Sequence, residues 1–173
     1  MVYRTLDAVD FTLEECAPLP PARHVVLTTP THFDVTYIIN PHMAEHVGSV
    51  DTDVAQQQWK TLRAVYRALD CTVHVVEGQP GLPDMVFCAN QTLPYRHPET
   101  GDVGVVLSRM HTQERQPEVP HFARFFAERG YSVRELPDDV ASDFEGMGDA
   151  IWHPGRHLLW GGYGYRTDLD AYE

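Results

Sequence analysis

Between Val54 and Leu69 the apolar residues Val54, Trp59, Leu62, Val65, Tyr66 and Leu69 recur mostly three or four positions apart, which gathers them on one helical face. Asp51 and Asp53 precede them as an N-cap and a first-turn acid. Beyond this helix the pattern shortens. Thr72–Val76 predicts a strand, Gln79–Pro83 a turn, Met85–Phe87 a second strand, Tyr95–Asp102 a polar loop and Val103–Ser108 another strand. A second helix is predicted over Val119–Arg129, burying Phe122, Phe125 and Phe126 and stopping at Gly130. Tyr131–Leu136 then reads as a strand, Pro137–Ser142 as a loop, and Ala150–Trp152 and Leu158–Trp160 as short strands around Pro154-Gly155.

The order helix, strand, acidic loop, two-stranded ladder thus occurs twice. An offset of 60 residues relates Thr72 to Ser132, and one of 61 relates Asp84 to Glu145. A unit of about sixty residues that is stable only beside its neighbours describes a repeat architecture. About three units fit in 173 residues, with the strand Val25–Thr28 as the end of the first. Thr167 as N-cap with Asp168 and Asp170 predicts a helix start that the chain follows for only one turn before Glu173. The expectation is therefore one domain over 1–173, the amino-terminal portion of a longer protein.

Charge narrows the partners. Thirteen basic against twenty-five acidic side chains give −12, which repels phosphate backbones and anionic bilayers, so neither nucleic acid nor membrane is an expected partner. Twelve arginines against the single Lys60 suit a protein kept soluble at high salt as well as they suit a GC-rich coding bias. Cys16, Cys71 and Cys88 are odd in number and widely spaced, which points to reduced thiols and, with no cationic or apolar leader before Cys16, to the cytoplasm.

Three stretches carry candidate chemistry. In Gly81–Asn90, Asp84 at a strand mouth has the charge and planarity to hold a guanidinium, or else it caps its own turn, and Asn90 has the same two readings. In Asp143–Asp149, two glycines interleaved with acids let backbone approach a ligand, and Glu145 could orient an imidazole. Calcium-loop and phosphate-loop spacings are absent there. In Gly161–Thr167, Arg166 beside a helix start makes an anion site or an ordinary solvated turn; Arg115 is equally open. The pairs His42/His46 and His153/His157 lack a third ligand, so no metal or other cofactor is expected. Cys88 reads as structural rather than nucleophilic.

Taken together, His32–Val35 with Asn40-Pro41, Gly81–Asn90, Glu114–Glu118, Phe144–Asp149 and Gly162–Thr167 resemble, in order, the guanidino-group-modifying superfamily, the penteins. The resemblance implies a five-bladed α/β propeller of ββαβ units, of which this chain would supply about three blades. It implies a cysteine thiolate that attacks the guanidinium carbon and a histidine that shuttles protons, both beyond this chain, so that the fragment alone is inactive. Carried over by motif, Glu145 is the acidic partner of the histidine, Asp84 binds the guanidinium, and Arg115 and Arg166 grip the substrate's α-carboxylate.

Ala89-Asn90 with Ile39-Asn40-Pro41 is similar to the arginine dihydrolase branch, in which Asn90 would hold the ureido intermediate and Asn40 would join the substrate site. Cys88 and Gln91-Thr92 depart from that branch, where threonine and an Ala-Gly type sequence are commoner. The implied activity is hydrolysis of the guanidino C–N bond of arginine or a methylated arginine. The alternatives are amidino transfer to an amine and a non-catalytic protein that retains the guanidinium pocket. A partial ring would also leave blade edges open for self-association.

Overall fold

The computed structural model describes residues 1–137, 139–140 and 142–173. They form two compact units, Met1–Pro21 with Ala89–His111 and Ala123–Glu173, and Ala22–Cys88 with Thr112–Phe122.

In the unit around Ala22–Cys88, strand β1 (His24–Thr28) pairs in parallel with β2 (Thr72–Val76), from His24 opposite Thr72 to Thr28 opposite Val76. A parallel pair needs a crossover, and helix α1 (Thr52–Ala68) supplies it. The helix starts where the Asp51 carboxylate accepts hydrogen bonds from the N–H groups of Asp53 and Val54, both at 3.0 Å. It ends at Leu69, followed by Asp70 in the left-handed conformation at φ 58°. The expected apolar face divides: Trp59 and Tyr66 are half-buried, whereas Val54, Leu62, Val65 and Leu69 are exposed. Leu27, Val76, Met85, Val119 and Phe122 form the buried apolar residues of this unit.

The strand expected at Met85–Phe87 is instead part of a single 3-10 turn, Pro83–Val86. Pro83 stands at its start with a pre-set φ, and Asp84 and Met85 turn inward. The strand expected at Val25–Thr28 is correctly sited but wrongly assigned, because it pairs with β2 rather than closing an earlier unit.

The other unit contains a three-stranded sheet. Strand β3 (Thr92–Arg96) runs antiparallel to β4 (Val103–Leu107), which pairs in parallel with β5 (Ser132–Arg134) across helix α2 (Val119–Ala127). The polar loop expected from Tyr95 therefore begins only after Arg96. Pro94 is tolerated because β3 is an edge strand. Gly130, at φ 79°, follows α2 as expected and occupies the place that Asp70 takes after α1. Strands β6 (Ala150–Trp152) and β7 (Leu159–Gly161) form a hairpin over a core of Leu93, Phe144 and Ala150, with the Trp152 indole donating to the Pro94 carbonyl at 2.7 Å.

The repeat is visible in this order. β3-β4-α2-β5 is one full ββαβ unit, β1-α1-β2 lacks a first strand, and β6-β7 lacks a helix and a last strand among the described residues. The three sheets remain separate and none closes on itself. No helix among the described residues is long and apolar enough to cross a membrane.

Candidate active site

Asp84 projects from the Pro83–Val86 turn and is 3% exposed. One of its oxygens, Oδ2, accepts a 2.7 Å hydrogen bond from the Tyr37 hydroxyl and lies 4.0 Å from Arg115 Nε. Burial, followed by this bond to Asp84, pushes the Tyr37 phenol well above the usual tyrosine range, so Tyr37 is a fixed donor. Arg115 sits in the 3-10 turn Gln113–Glu118 and pairs through Nη2 with Glu118 at 3.0 Å, while Nη2 also donates to the carbonyls of Asp84 (3.2 Å) and Phe87 (3.4 Å). Its Nη1 has no hydrogen-bond partner among the described residues. Glu118 is fully buried, and only its position three residues after Arg115 could have signalled the pair in the sequence.

Glu145 is 1% exposed in the other unit. Its Oε2 accepts a 2.9 Å hydrogen bond from the Asn90 side-chain amide and lies 3.5 Å from Arg166 Nη1. Arg166 Nη2 in turn meets Asp149 Oδ1 at 2.5 Å and donates to the Gly148 carbonyl at 3.3 Å. Thr167 was expected to cap a helix, but a 3-10 turn, Leu169–Tyr172, begins after Asp168 instead. Its buried hydroxyl accepts from the Glu145 N–H at 3.0 Å and donates to Asp149 at 2.8 Å. In the stretch read as either an anion site or an ordinary turn beside Arg166, the N–H of Gly164 donates to the Thr167 carbonyl and that of Asp168 to the Asp143 carbonyl.

The glycines of Asp143–Asp149 are required by the protein's own packing. A Cβ on Gly146 (φ 49°) would lie 2.6 Å from the Thr92 carbonyl oxygen, and one on Gly148 would lie 2.3 Å from Asn90 Nδ2. Gly148 therefore clears the space in which Asn90 meets Glu145, and Gly146 the space beside Thr92 and Ser108.

The structure thus joins Asp84 to Arg115 in one unit, and Asn90, Glu145 and Arg166 in the other. Each acid follows a β-α-β crossover, and its arginine comes from the segment after the next sheet's second strand. Asn40 joins neither group: it is exposed, and its side chain accepts from the His42 N–H to cap the turn Pro41–His46. Cys88 donates its thiol to the Val26 carbonyl at 3.3 Å, and burial raises its pKa, a poor setting for a nucleophile. Among the described residues no three histidine, cysteine or acidic side chains converge as metal ligands.

No family model matches the chain. It is 40% identical over 149 residues to ArgZ, the bifunctional arginine dihydrolase/ornithine cyclodeaminase of Synechocystis sp., covering 86% of this chain and 20% of ArgZ. It is 37% identical over 153 residues to the N(G),N(G)-dimethylarginine dimethylaminohydrolase of Mycobacterium tuberculosis, covering 88% of this chain and 46% of that protein. The crystal structure of the N-terminal domain of ArgZ bound to substrate superposes with a TM-score of 0.77 at 39% identity, over 86% of this chain and 51% of that one. The chain thus spans a fifth to a half of the proteins it matches. Through this shared sequence and α/β fold the chain is a homologue of the arginine dihydrolases and of dimethylarginine dimethylaminohydrolase, members of the guanidino-group-modifying superfamily.

Proposed function

We propose that the chain is part of a hydrolase that cleaves the guanidino C–N bond of arginine, and that it contributes substrate-binding groups and one acid of the catalytic apparatus. The observation that carries this reading is the pair of buried carboxylates, Asp84 and Glu145, each with one neutral donor and one arginine beside it. Asp84 holds the guanidinium through two charge-assisted hydrogen bonds, oriented by Tyr37. Glu145 orients the imidazole that moves protons. Arg166 and the Nη1 of Arg115 take the α-carboxylate. Asn90, an amide where a second acid would add charge, holds the ureido intermediate and favours two successive hydrolyses, from arginine to ornithine, ammonia and carbon dioxide.

In this reading the attacking cysteine and the histidine belong to a part of the enzyme outside these 173 residues. The three sheets are blades of a five-bladed propeller in a cytoplasmic protein, and the isolated fragment is inactive. The exposed α1 residues Val54, Leu62, Val65 and Leu69 and the two-stranded sheets favour self-association of that fragment.

The test is turnover of guanidino-labelled arginine by the complete enzyme, with ammonia, citrulline and ornithine counted. Two ammonia molecules per ornithine are expected. Products that require an added amine would show amidino transfer, and tight arginine binding without turnover would show a binding protein; either result overturns the proposal. Sedimentation of the 173-residue chain is expected to show oligomers.

A further inference from the structure

We propose that His111 is a positioning residue that ties the segment carrying Arg166 to the segment carrying Glu145, and so fixes the grip on the α-carboxylate of the substrate. The inference rests on the reading of Arg166 given above.

His111 lies just beyond β4, outside the buried cluster, and touches both segments at once. Its Nδ1 stands 2.6 Å from Asp143 Oδ2, two residues before Glu145. Its ring packs on that of Tyr165, next to Arg166, at a centroid distance of 5.4 Å and an interplanar angle of 53°. The two segments are also joined by backbone. The Asp143 N–H donates to Asp168 Oδ2 at 2.9 Å, and the Asp168 N–H donates to the Asp143 carbonyl at 3.0 Å. These two bonds hold the Arg166 segment at Asp168, and at its other end the Gly162 N–H donates to the Asp149 carbonyl at 2.7 Å while the Gly162 carbonyl accepts from the Tyr172 hydroxyl at 2.9 Å, so that Tyr163–Tyr165 spans two anchored points. That stretch contains Gly164 at φ 126°, and its Tyr163 and Tyr165 are 66% and 73% exposed. The His111 imidazole packs on Tyr165 while reaching Asp143.

Arg166 reaches Glu145 at 3.5 Å and Asp149 at 2.5 Å with its side chain 38% exposed. Its direction therefore depends on where the backbone at Tyr165 is placed. A guanidinium that must meet a carboxylate with two parallel hydrogen bonds loses affinity when its backbone is free to swing. Because the His111–Asp143 pair is partly exposed, with side chains 43% and 36% accessible, its loss should cost affinity without unfolding the protein.

The experiment compares His111→Ala, His111→Gln and Arg166→Ala in the complete enzyme. KM and kcat are measured for arginine, together with the inhibition constant of agmatine, which is arginine without its carboxylate. His111→Ala is expected to raise KM for arginine about twofold to fivefold, leaving kcat and agmatine inhibition unchanged. Glutamine, which keeps a donor for Asp143, is expected to restore part of the loss. If Arg166→Ala raises KM but His111→Ala does not, the positioning role is refuted while the carboxylate reading stands. If His111→Ala weakens arginine and agmatine equally or lowers kcat, His111 acts elsewhere and the inference also fails. If Arg166→Ala leaves KM for arginine unchanged, the carboxylate reading itself falls, and the role of His111 falls with it.

Discussion

Gly148→Ala isolates one contact. Gly148 does not have a positive φ, so alanine adds no backbone strain, and the whole effect comes from the new methyl group. That carbon would lie 2.3 Å from Asn90 Nδ2 and 2.9 Å from its Cγ, well inside van der Waals contact. Asn90 is a short, buried side chain whose amide donates to Glu145 at 2.9 Å, so it cannot withdraw without breaking that bond. Overpacking typically costs about 1–3 kcal/mol, and loss of a hydrogen bond to a charged group about 1.5–3 kcal/mol. These are alternative ways of relieving one clash and do not add, so the cheaper one sets the loss, about 1–3 kcal/mol. For a chain of this length that lowers the melting temperature by about 2–12 °C.

The decisive measurement is a double-mutant cycle by denaturant unfolding. Asn90→Ala removes the atoms that the methyl group strikes, so Gly148→Ala should cost at least about 1 kcal/mol less in that background. Equal costs in both backgrounds would refute the packing argument.

Asp84→Asn in the complete enzyme should weaken arginine binding by about 2–5 kcal/mol, read by calorimetry, because a charge-assisted pair becomes a neutral contact with one arm reversed. Unchanged affinity would remove Asp84 from the guanidinium site. Asn90→Asp would set a second carboxyl against Glu145 Oε2, where the amide now donates, raising the pKa of the pair. The folded variant then holds more protons than the unfolded chain above about pH 4, so it should lose stability relative to the parent as pH rises from about 4 to 7. The complete enzyme with this change should accumulate citrulline, and an unchanged product ratio would discount Asn90 in the second hydrolysis.

Burial, with Asp149 next in effect, pushes the Tyr172 phenol up to about 12. It should therefore ionise after the exposed tyrosines in an absorbance titration. The folded state keeps a proton that an unfolded tyrosine loses near pH 10, so stability should fall between about pH 10 and 12, and less steeply in Tyr172→Phe.

Local signals in the sequence were read well where the structure depends on local physics. The Asp51 cap and the stop at Gly130 follow from neighbours a few residues apart, whereas the parallel pairings of β1 with β2 and of β4 with β5 join residues 48 and 28 positions apart and were not predicted. The Met85–Phe87 segment misled because an apolar triplet looks the same in a strand and in a buried turn, and Pro83 is the residue that distinguishes them. Thr167 misled because its hydroxyl has better partners in Glu145 and Asp149 than in a one-turn helix. On α1 the apolar spacing located a face but not which of its residues are covered. Within the candidate site, the acids and arginines were legible as motif residues. Tyr37, 47 positions from Asp84, and the Asn90–Glu145 bond, spanning 55 positions, left no local trace.

The placement of each acid one repeat ahead of its arginine has a consequence for how the chain is made. Asp84 leaves the ribosome 31 residues before Arg115 and Glu145 leaves it 21 residues before Arg166, with Asn90 made well before both Glu145 and its arginine. At about 5–20 residues per second, each carboxylate waits on the order of one to six seconds for its counter-ion. Until then each carboxylate has its neutral donor, Tyr37 or Asn90, but no opposite charge to offset desolvation, and its turn stays open to water. Burial of one repeat's acid is thus timed by synthesis of the next, and the chain is expected to compact in steps from its amino terminus.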